Sequence, residues 1–503
     1  MNWTTGGKSP ADRLHSRRLL FRLGAVLVGL APFVLVESVL MVLDAGRPCA
    51  HDDPFVGFSA VRPLFQLNAD GTRYEIPRSR LPHFQPDSFG TVKQPHEFRV
   101  VCVGDSTVQG NPWTIETSFS TWLEISLNAA EPDRHWDVIN CGGISYASYR
   151  MVPILEEVLR YQPDLLVVHC SHNEFLEDRT YDKIKRTPRA IARTHEVVSR
   201  LRTYTLLRSA CGHLMPASKE GHRRTVLSEE VEALLDYRGG LEAYHRDDEW
   251  RQAVIAHYEV NLRKMVRIAR DAGVPILLMN PVCNLRDSPP FKAEHRAGLT
   301  DEERERWESL WSEARRHYGR DYARAVSLLR ESLDIDDQHA GLRFDLAKCY
   351  EAMGLLEQAR AEFMQAKELD VCPLRILEPM NQIVLDVTRE TGTPLVNNRQ
   401  LFEELSPGAI PGDKWLVDHV HPSIRGYQIL GDAVADEMVR MGFVHPITNW
   451  KAECESRYAA HLESLDPAYF SRGQQHLQGL LLWAHGRATR ERIGKATAVG
   501  SGQ

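Results

Sequence analysis

The stretch Val100–Gly110, VVCVGDSTVQG, decides how the chain is read. Its apolar, largely β-branched run stops at Gly104-Asp105-Ser106 and passes into small polar residues. A run of this kind bounded by glycine reads as a buried strand of an α/β protein. A serine just past such a strand brings its hydroxyl to the carboxyl edge of the sheet, where ligand sites of open parallel sheets collect. Ser106 is therefore a candidate nucleophile.

Working outward, Trp136 to Asn140, Leu165 to His169, Val274 to Met279 and Thr393 to Val396 carry the same buried-strand pattern. Segments of helical spacing fall between them: Phe119 to Asn128, Tyr149 to Tyr161, Trp250 to Arg270 and Met380 to Arg389, with Ile424 to Met438 closing the domain. Strands alternating with helices predict a parallel sheet covered by helices on both faces, a three-layer α/β/α architecture.

A serine hydroxyl needs a base to take its proton as it attacks. Near the other end of the chain, in DHVHPS, Asp418 and His421 stand three apart. Histidine suits the task because its ordinary pKa is near 6.5. The spacing predicts both side chains on one face of a helical turn directed at the Ser106 loop. His419, across Val420, is the rival base.

With these stretches in view, the chain resembles the SGNH (GDSL-type) hydrolase superfamily. Gly104-Asp105-Ser106 is the first block, Ile139-Asn140-Cys141-Gly142 the second, Ser171-His172-Asn173-Glu174 the third and Asp418-x-x-His421 the last. The resemblance implies a Ser106-His421-Asp418 triad. It also implies an oxyanion hole of the Ser106 and Gly142 backbone N–H groups and the Asn173 side-chain amide. Two positions depart from the family pattern: Ser171 stands where a glycine is usual, and Glu174 where an aspartate is usual. His172, Arg286, Arg375 and His419 are candidate substrate contacts, with a core histidine or an ordinary loop salt bridge as the structural reading of each.

The catalytic fold is expected to be discontinuous, 97–295 and 373–447. A helical excursion at about 181–237, too long for an ordinary αβ connection, is expected to form a lid or a partner-facing subdomain. At 296–372 an insert carries Leu346, Ala347, Tyr350, Gly354, Ala359, Phe363 and Ala366 at tetratricopeptide spacing. One helical pair cannot bury its own apolar side. A degenerate repeat beginning near Asp301 or the α/β body must cover it, with Leu477 to Trp483 in the carboxyl-terminal extension 448–503 a candidate further layer.

Before the first strand, Leu23 to Leu43 is an apolar run of 21 residues interrupted by Glu37. As a helix it would span about 30 Å, the thickness of a bilayer core. Arg13, Arg17, Arg18 and Arg22 precede it, which places residues 1–46 as a cytoplasmic tail and single-span anchor with the body outside. A cleaved secretory signal and a buried helix are the other readings. Residues 47–96 hold a turn signal at Asn68 to Gly71 and form either a small hairpin layer or an arm from the membrane.

The net charge of −7 and the lack of a basic stripe argue against nucleic acid as a partner. Nine cysteines give no complete disulfide framework; Cys102, Cys141 and Cys170 read as buried thiols. No cysteine pattern has zinc-ligand spacing, and neither a metal nor a cofactor is implied. The chemistry expected is that of a serine ester hydrolase acting on an acetylated glycan, another O-acyl group or a lipid ester. An O-acyltransferase on extracytoplasmic glycans and a non-catalytic assembly module, with a peptide or protein partner at the tetratricopeptide-like insert, are the alternatives.

Overall fold

The computed structural model of the 503-residue chain describes residues 29, 31–43, 53, 55–169, 171–179, 202, 203, 206, 225–235 and 240–481. Five strands form the central sheet: β1 (Glu97–Gly104), β2 (His135–Gly142), β3 (Leu165–His169), β4 (Ile276–Met279) and β5 (Leu395–Val396). Their order is β5-β4-β3-β1-β2 and every neighbouring pair is parallel, with Val100 opposite both Val138 and Leu165. The chain steps from β1 outward to β2 and returns to the other side of β1 as β3. That reversal opens a crevice at the carboxyl ends of β1 and β3, where a parallel sheet receives its ligand.

Alternation along each strand sends side chains to opposite faces. Val100, Cys102, Val138, Leu165, Val167, Leu277 and Met279 share one core with Trp122, Leu123 and Leu127 of α2 (Phe119–Ala130) and Tyr427, Leu430 and Val434 of α10 (Ile424–Arg440). On the other face α3 (Ser148–Val158) packs on α4 (Asp248–Asp271), and α4 on α9 (Glu378–Thr391). The result is mixed α/β with a parallel sheet between helical layers, as the strand pattern predicts.

Between β4 and β5 the insert is four helices: α5 (Asp301–Arg316), α6 (Tyr322–Ile335), α7 (Ala340–Ala352) and α8 (Leu356–Glu368). Thr300 and Glu303 close a reciprocal capping box at the start of α5. The pair α5/α6 covers α7/α8, and Cys283, Leu285, Ile410 and Val420 of the α/β body enter the same apolar core. Both expected coverings are therefore used. The layer expected from Leu477 to Trp483 is not: α11 (Trp450–Ser464) packs on α2 through Tyr458 and Trp122, rings 4.8 Å apart. The helix over 467–481 lies along 112–117, with Tyr469 OH 2.6 Å from Thr117 Oγ1 and His476 Nδ1 3.0 Å from Pro112 O. Trp483 lies outside the described residues.

Upstream of β1, Gln66–Leu67, Arg73–Glu75 and Ser88–Gly90 form a three-stranded antiparallel sheet. The Leu64 and Phe65 N–H groups donate to the Glu157 carboxylate at 2.6 and 2.9 Å, and Asp87 accepts from Asn140 N at 2.7 Å. This part of 47–96 is a hairpin layer packed on the body; 47–52 and 54 lie outside the described residues.

The chain divides into two compact units, Met1–Pro54 with Tyr181–Arg224, and Phe55–Thr180 with Thr225–Gln503. Residues 31–42 are helical and expose Phe33, Leu35, Met41 and Val42. The Glu37 carboxylate accepts from Arg202 N at 2.5 Å and from Thr203 N and Oγ1 at 3.0 and 2.9 Å. No helix among the described residues is long and apolar enough to cross a membrane. Most of the expected excursion, the residues 23–28 and 30 of the expected span, and Cys170 lie outside the described residues; Cys102 and Cys141 are buried free thiols.

Candidate active site

Strand β1 ends at Gly104 because only glycine fits there: a Cβ would lie 2.2 Å from Val108 Cγ2 and 2.3 Å from His169 O. The chain then turns into α1 (Ser106–Gln109), with Asp105 as its N-cap accepting from Thr107 N at 3.0 Å. Ser106 is the first helical residue. Its backbone N–H has no hydrogen-bond partner among the described residues, as the first turn of a helix leaves its donors free.

Asp418 and His421 sit in an irregular loop closed by a bridge between Leu416 and Pro422 and by a 2.8 Å bond from Val417 N to His421 O. The helical turn predicted from their spacing is not formed. A different device aligns them: Asp418 Oδ1 accepts the Val420 and His421 backbone N–H groups at 2.9 and 2.8 Å, which aims Oδ2 at His421 Nδ1, 2.6 Å away. His421 Nε2 is 2.8 Å from Ser106 Oγ. The expected triad residues, 315 positions apart at their ends, are thus brought into one hydrogen-bonded line, with Ser106, Asp418 and His421 only 7, 5 and 4% exposed.

The electrostatics assign the protons. Burial pushes the Asp418 carboxyl up, but His421, His419 and the donated hydrogen bonds overcome it and hold the group well below the carboxylate range. Asp418 is therefore ionised and Nδ1 of His421 carries the proton, leaving Nε2 to accept from Ser106. Burial lowers the His421 pKa, and the Asp418 carboxylate more than restores it, to a value above the ordinary one. Asn111, which the sequence patterns do not single out, places Nδ2 3.4 Å from His421 Nε2. Asp105 is held below the carboxylate range by His169, His172 and the Thr107 N–H against the opposing effect of burial.

The expected oxyanion donors divide. Gly142 N–H is already bonded to Asn140 Oδ1 at 2.9 Å, and a Cβ at Gly142 would lie 2.1 Å from Gln109 N. Gly142 lets the nucleophile turn lie flat on β2 and is not a free donor, which corrects the expectation. Three residues on, Ser145 is held at φ 62°, and its N–H has no partner among the described residues. Its neighbours tie it to the site: Gly143 N donates to Gly104 O at 3.0 Å, and Tyr146 O accepts from Asn173 Nδ2 at 3.2 Å. That bond uses one of the two amide protons of Asn173. A positive φ in a serine was the missing signal, and sequence alone does not display it.

Ser171 has φ 142°, a backbone region that favours glycine, and its hydroxyl is 2.7 Å from Tyr258 OH. Glu174 accepts from Ser148 N and Oγ at 2.6 and 3.0 Å, so the longer acidic arm holds the amino end of α3. His172 is buried with Nδ1 accepting from Ile376 N at 3.2 Å, and His419 lies with its ring 5.9 Å from that of His421. Arg375 is buried and donates to Asn284 O and Ser288 O at 3.0 and 2.8 Å. Arg286 turns instead to the insert, 2.7 Å from Glu351, with a bond to Pro407 O at 3.0 Å. It makes the ordinary loop salt bridge, not a contact of the Ser106 site. Among the described residues no group of three or more His, Cys, Asp or Glu side chains is arranged to hold a metal ion.

The insert reaches the site through its own packing. Val420, between His419 and His421, belongs to the same core as Phe363, Leu346 and Ala347. Lys367 at the end of α8 donates to Ile376 O at 2.8 Å, on the residue whose N–H fixes His172. Asp370 accepts from Phe291 N at 2.7 Å, and the Phe291 ring lies edge-on to His419 at 5.0 Å.

The tetratricopeptide repeat family matches residues 319–371, which spans α6 to α8. No curated protein matches the sequence. Among solved structures the chain is similar to a lipase/acylhydrolase from Enterococcus faecalis, at 13% identity over 70% of this chain and 99% of that one, TM-score 0.31. It is also similar to a GDSL-like lipase from Bacteroides thetaiotaomicron, at 12% identity over 68% and 88%, TM-score 0.27. Overlaps this loose carry nothing about chemistry, which rests on the side chains themselves.

Proposed function

We propose that this chain is a serine ester hydrolase of the SGNH type, working through an acyl-enzyme on Ser106. The observation that carries the reading is the line Ser106 Oγ to His421 Nε2 at 2.8 Å and His421 Nδ1 to Asp418 Oδ2 at 2.6 Å. As Ser106 Oγ attacks an ester carbonyl, His421 takes its proton, and the adjacent Asp418 carboxylate stabilises the imidazolium that forms. The oxyanion is received by the Ser106 and Ser145 backbone N–H groups and the second amide proton of Asn173. His421 then hands its proton to the departing alkoxide, leaving the acyl group on Ser106. Water, activated in turn by His421, releases the acid.

The substrate is an O-acyl ester, with an acetylated glycan or a lipid ester as the two classes. If an alcohol replaces water in the second half-reaction, the same machinery is an O-acyltransferase. The apolar segment 23–43 serves as a membrane tether with the body on the extracytoplasmic side, a placement supported by the preceding arginines. Ser106 and His421 far apart would favour the non-catalytic assembly reading; their hydrogen bond supports the enzyme reading instead.

The test is to quench p-nitrophenyl acetate hydrolysis early and map the protein by mass spectrometry. An acetyl group on Ser106, absent in Ser106→Ala and partitioning to added alcohols or to water, supports the reading. A folded protein that neither acylates nor turns over acyl esters refutes it.

A further inference from the structure

The base of the triad has a second neighbour. Among the described residues His421 Nε2 has two hydrogen-bond partners, Ser106 Oγ at 2.8 Å and Asn111 Nδ2 at 3.4 Å. Asn111 is 4% exposed, and its side chain has no other partner among the described residues, Oδ1 being buried and unpaired. An unpaired buried acceptor is costly, so the amide gains the fold little. Its backbone is nevertheless held firmly. Asn111 N donates to Ser106 O at 3.1 Å, Asn111 O accepts from Tyr427 OH at 2.6 Å, and Pro112 O lies 3.0 Å from His476 Nδ1. The amide is thus mounted at the end of the nucleophile's own turn, against the atom of His421 that moves the proton.

Neutral Nε2 is an acceptor, so the end of the amide turned to it is the NH2 group. In the resting protein two donors share one lone pair, and the shorter bond, from Ser106, takes most of it. Acylation changes that balance. The serine proton passes to His421 and leaves with the alcohol, and Oγ, now in an ester bond, has no hydrogen to donate. Asn111 Nδ2 is then the protein donor left at Nε2 among the described residues. Without it the ring would be held by its Asp418 bond alone. At 3.4 Å the Asn111 bond is long enough to give way to an incoming water and close enough to keep the ring from turning about that single bond.

We propose that Asn111 is a catalytic residue of the second half-reaction, which takes the place of the Ser106 hydroxyl at His421 Nε2 while Ser106 carries the acyl group. This deepens the ester hydrolase reading and rests on it. In that half-reaction the water oxygen bonds to the acyl carbon as its proton passes to Nε2. The bond from that carbon to Ser106 Oγ then breaks, the Nε2 proton returns to Oγ, and the acid departs. The competing reading is that Asn111 only packs the nucleophile loop, in which case its loss would slow both half-reactions alike.

The test separates the two rates in the full chain. Single turnovers with protein in excess over p-nitrophenyl acetate give acylation as nitrophenol release and deacylation as decay of the quenched acetyl-Ser106 mass. In Asn111→Leu deacylation is expected to fall about five- to ten-fold, the worth of one neutral hydrogen bond, with acylation changed less than about two-fold. Equal losses in both rates, a loss confined to acylation, or no loss would overturn the proposal. Asn111→Asp, of nearly the same shape, decides the matter if the leucine variant does not fold. Against the effect of burial, Asp418 and Asp105 already raise the His421 pKa. A further carboxylate against Nε2 should raise it more and move the acid limb of deacylation to higher pH, and a limb that stays in place would overturn the proposal. Failure of the hydrolase reading appears separately, as absence of acetyl transfer to Ser106 in the unsubstituted protein.

Discussion

Replacing Asp418 by asparagine separates the two tasks of that side chain. Oδ1 accepts two backbone N–H groups, from Val420 and His421, and an amide oxygen can keep both bonds. The fold of the loop is therefore retained, and the amide NH2 takes the place of Oδ2, 2.6 Å from His421 Nδ1. A donor now faces that nitrogen, so Nδ1 must accept and the imidazole proton moves to Nε2, opposite Ser106 Oγ. In that tautomer His421 cannot receive the serine proton. The expected loss in kcat is about 10⁴-fold, as for a wrong-tautomer triad, equivalent to about 5 kcal/mol of transition-state stabilisation. A second signature follows from charge. Asp418 is what raises the His421 pKa against burial. In the unsubstituted protein the acid limb of kcat/KM should lie above the ordinary histidine value of about 6.5, because activity requires neutral His421 and appears only as pH rises through its pKa. In Asp418→Asn the limb should move to lower pH. The assay is p-nitrophenyl acetate hydrolysis from pH 4 to 9 with the stability of each protein checked by circular dichroism. A variant within ten-fold of the parent, or an acid limb that does not move, would refute the reasoning.

Asn173→Ala removes an oxyanion donor and should lower kcat by about 10²–10³-fold with KM little changed; a KM effect alone would make Asn173 a binding residue only. Phe363→Ala in α8 should cost about 3–5 kcal/mol in denaturant unfolding. Because Val420 shares that core, the still-folded variant should also lose turnover, and unchanged kcat would show that the insert does not steady the His421 loop. Acidification should cost the parent stability relative to a variant lacking a buried histidine. Burial takes His172 to about 3, while the unfolded chain binds that proton near 6.5, so its contribution is level above that pH and falls below it. Asp87, Glu124 and Asp370, pushed up by burial to about 6, 7 and 6, act in the opposite sense, so the readout is the difference between parent and His172→Phe: between pH 7 and 5 the parent should lose about 2 kcal/mol more in denaturant unfolding, and parallel pH dependences would contradict it.

The parallel sheet was legible because its strands are apolar runs bounded by polar residues or glycine, a local signal. Ser106, Asp418 and His421 were legible because a nucleophile, a base and an orienting carboxylate each carry chemistry in their identity. What sequence did not convey is how backbone geometry chooses among near neighbours. Three-residue spacing fits a helical turn as well as the loop that Asp418 Oδ1 closes on two amides. The NCGG segment offered Gly142 as the open donor, yet its N–H is taken by the Asn140 side chain and Ser145 supplies the free one. The tetratricopeptide pattern showed its small and aromatic residues, but the packing of Val420 among them joins positions far apart in sequence. The carboxyl-terminal layer failed for the same reason, since amphipathic spacing marks a buried face without naming what buries it.

The central claim is that Ser106 is an activated nucleophile. Treating the folded protein with a fluorophosphonate and mapping the adduct tests it most directly. Stoichiometric labelling of Ser106 is expected, abolished in Ser106→Ala and slowed by orders of magnitude in His421→Ala. A folded protein that stays unlabelled, or that carries the label on another residue, would contradict it.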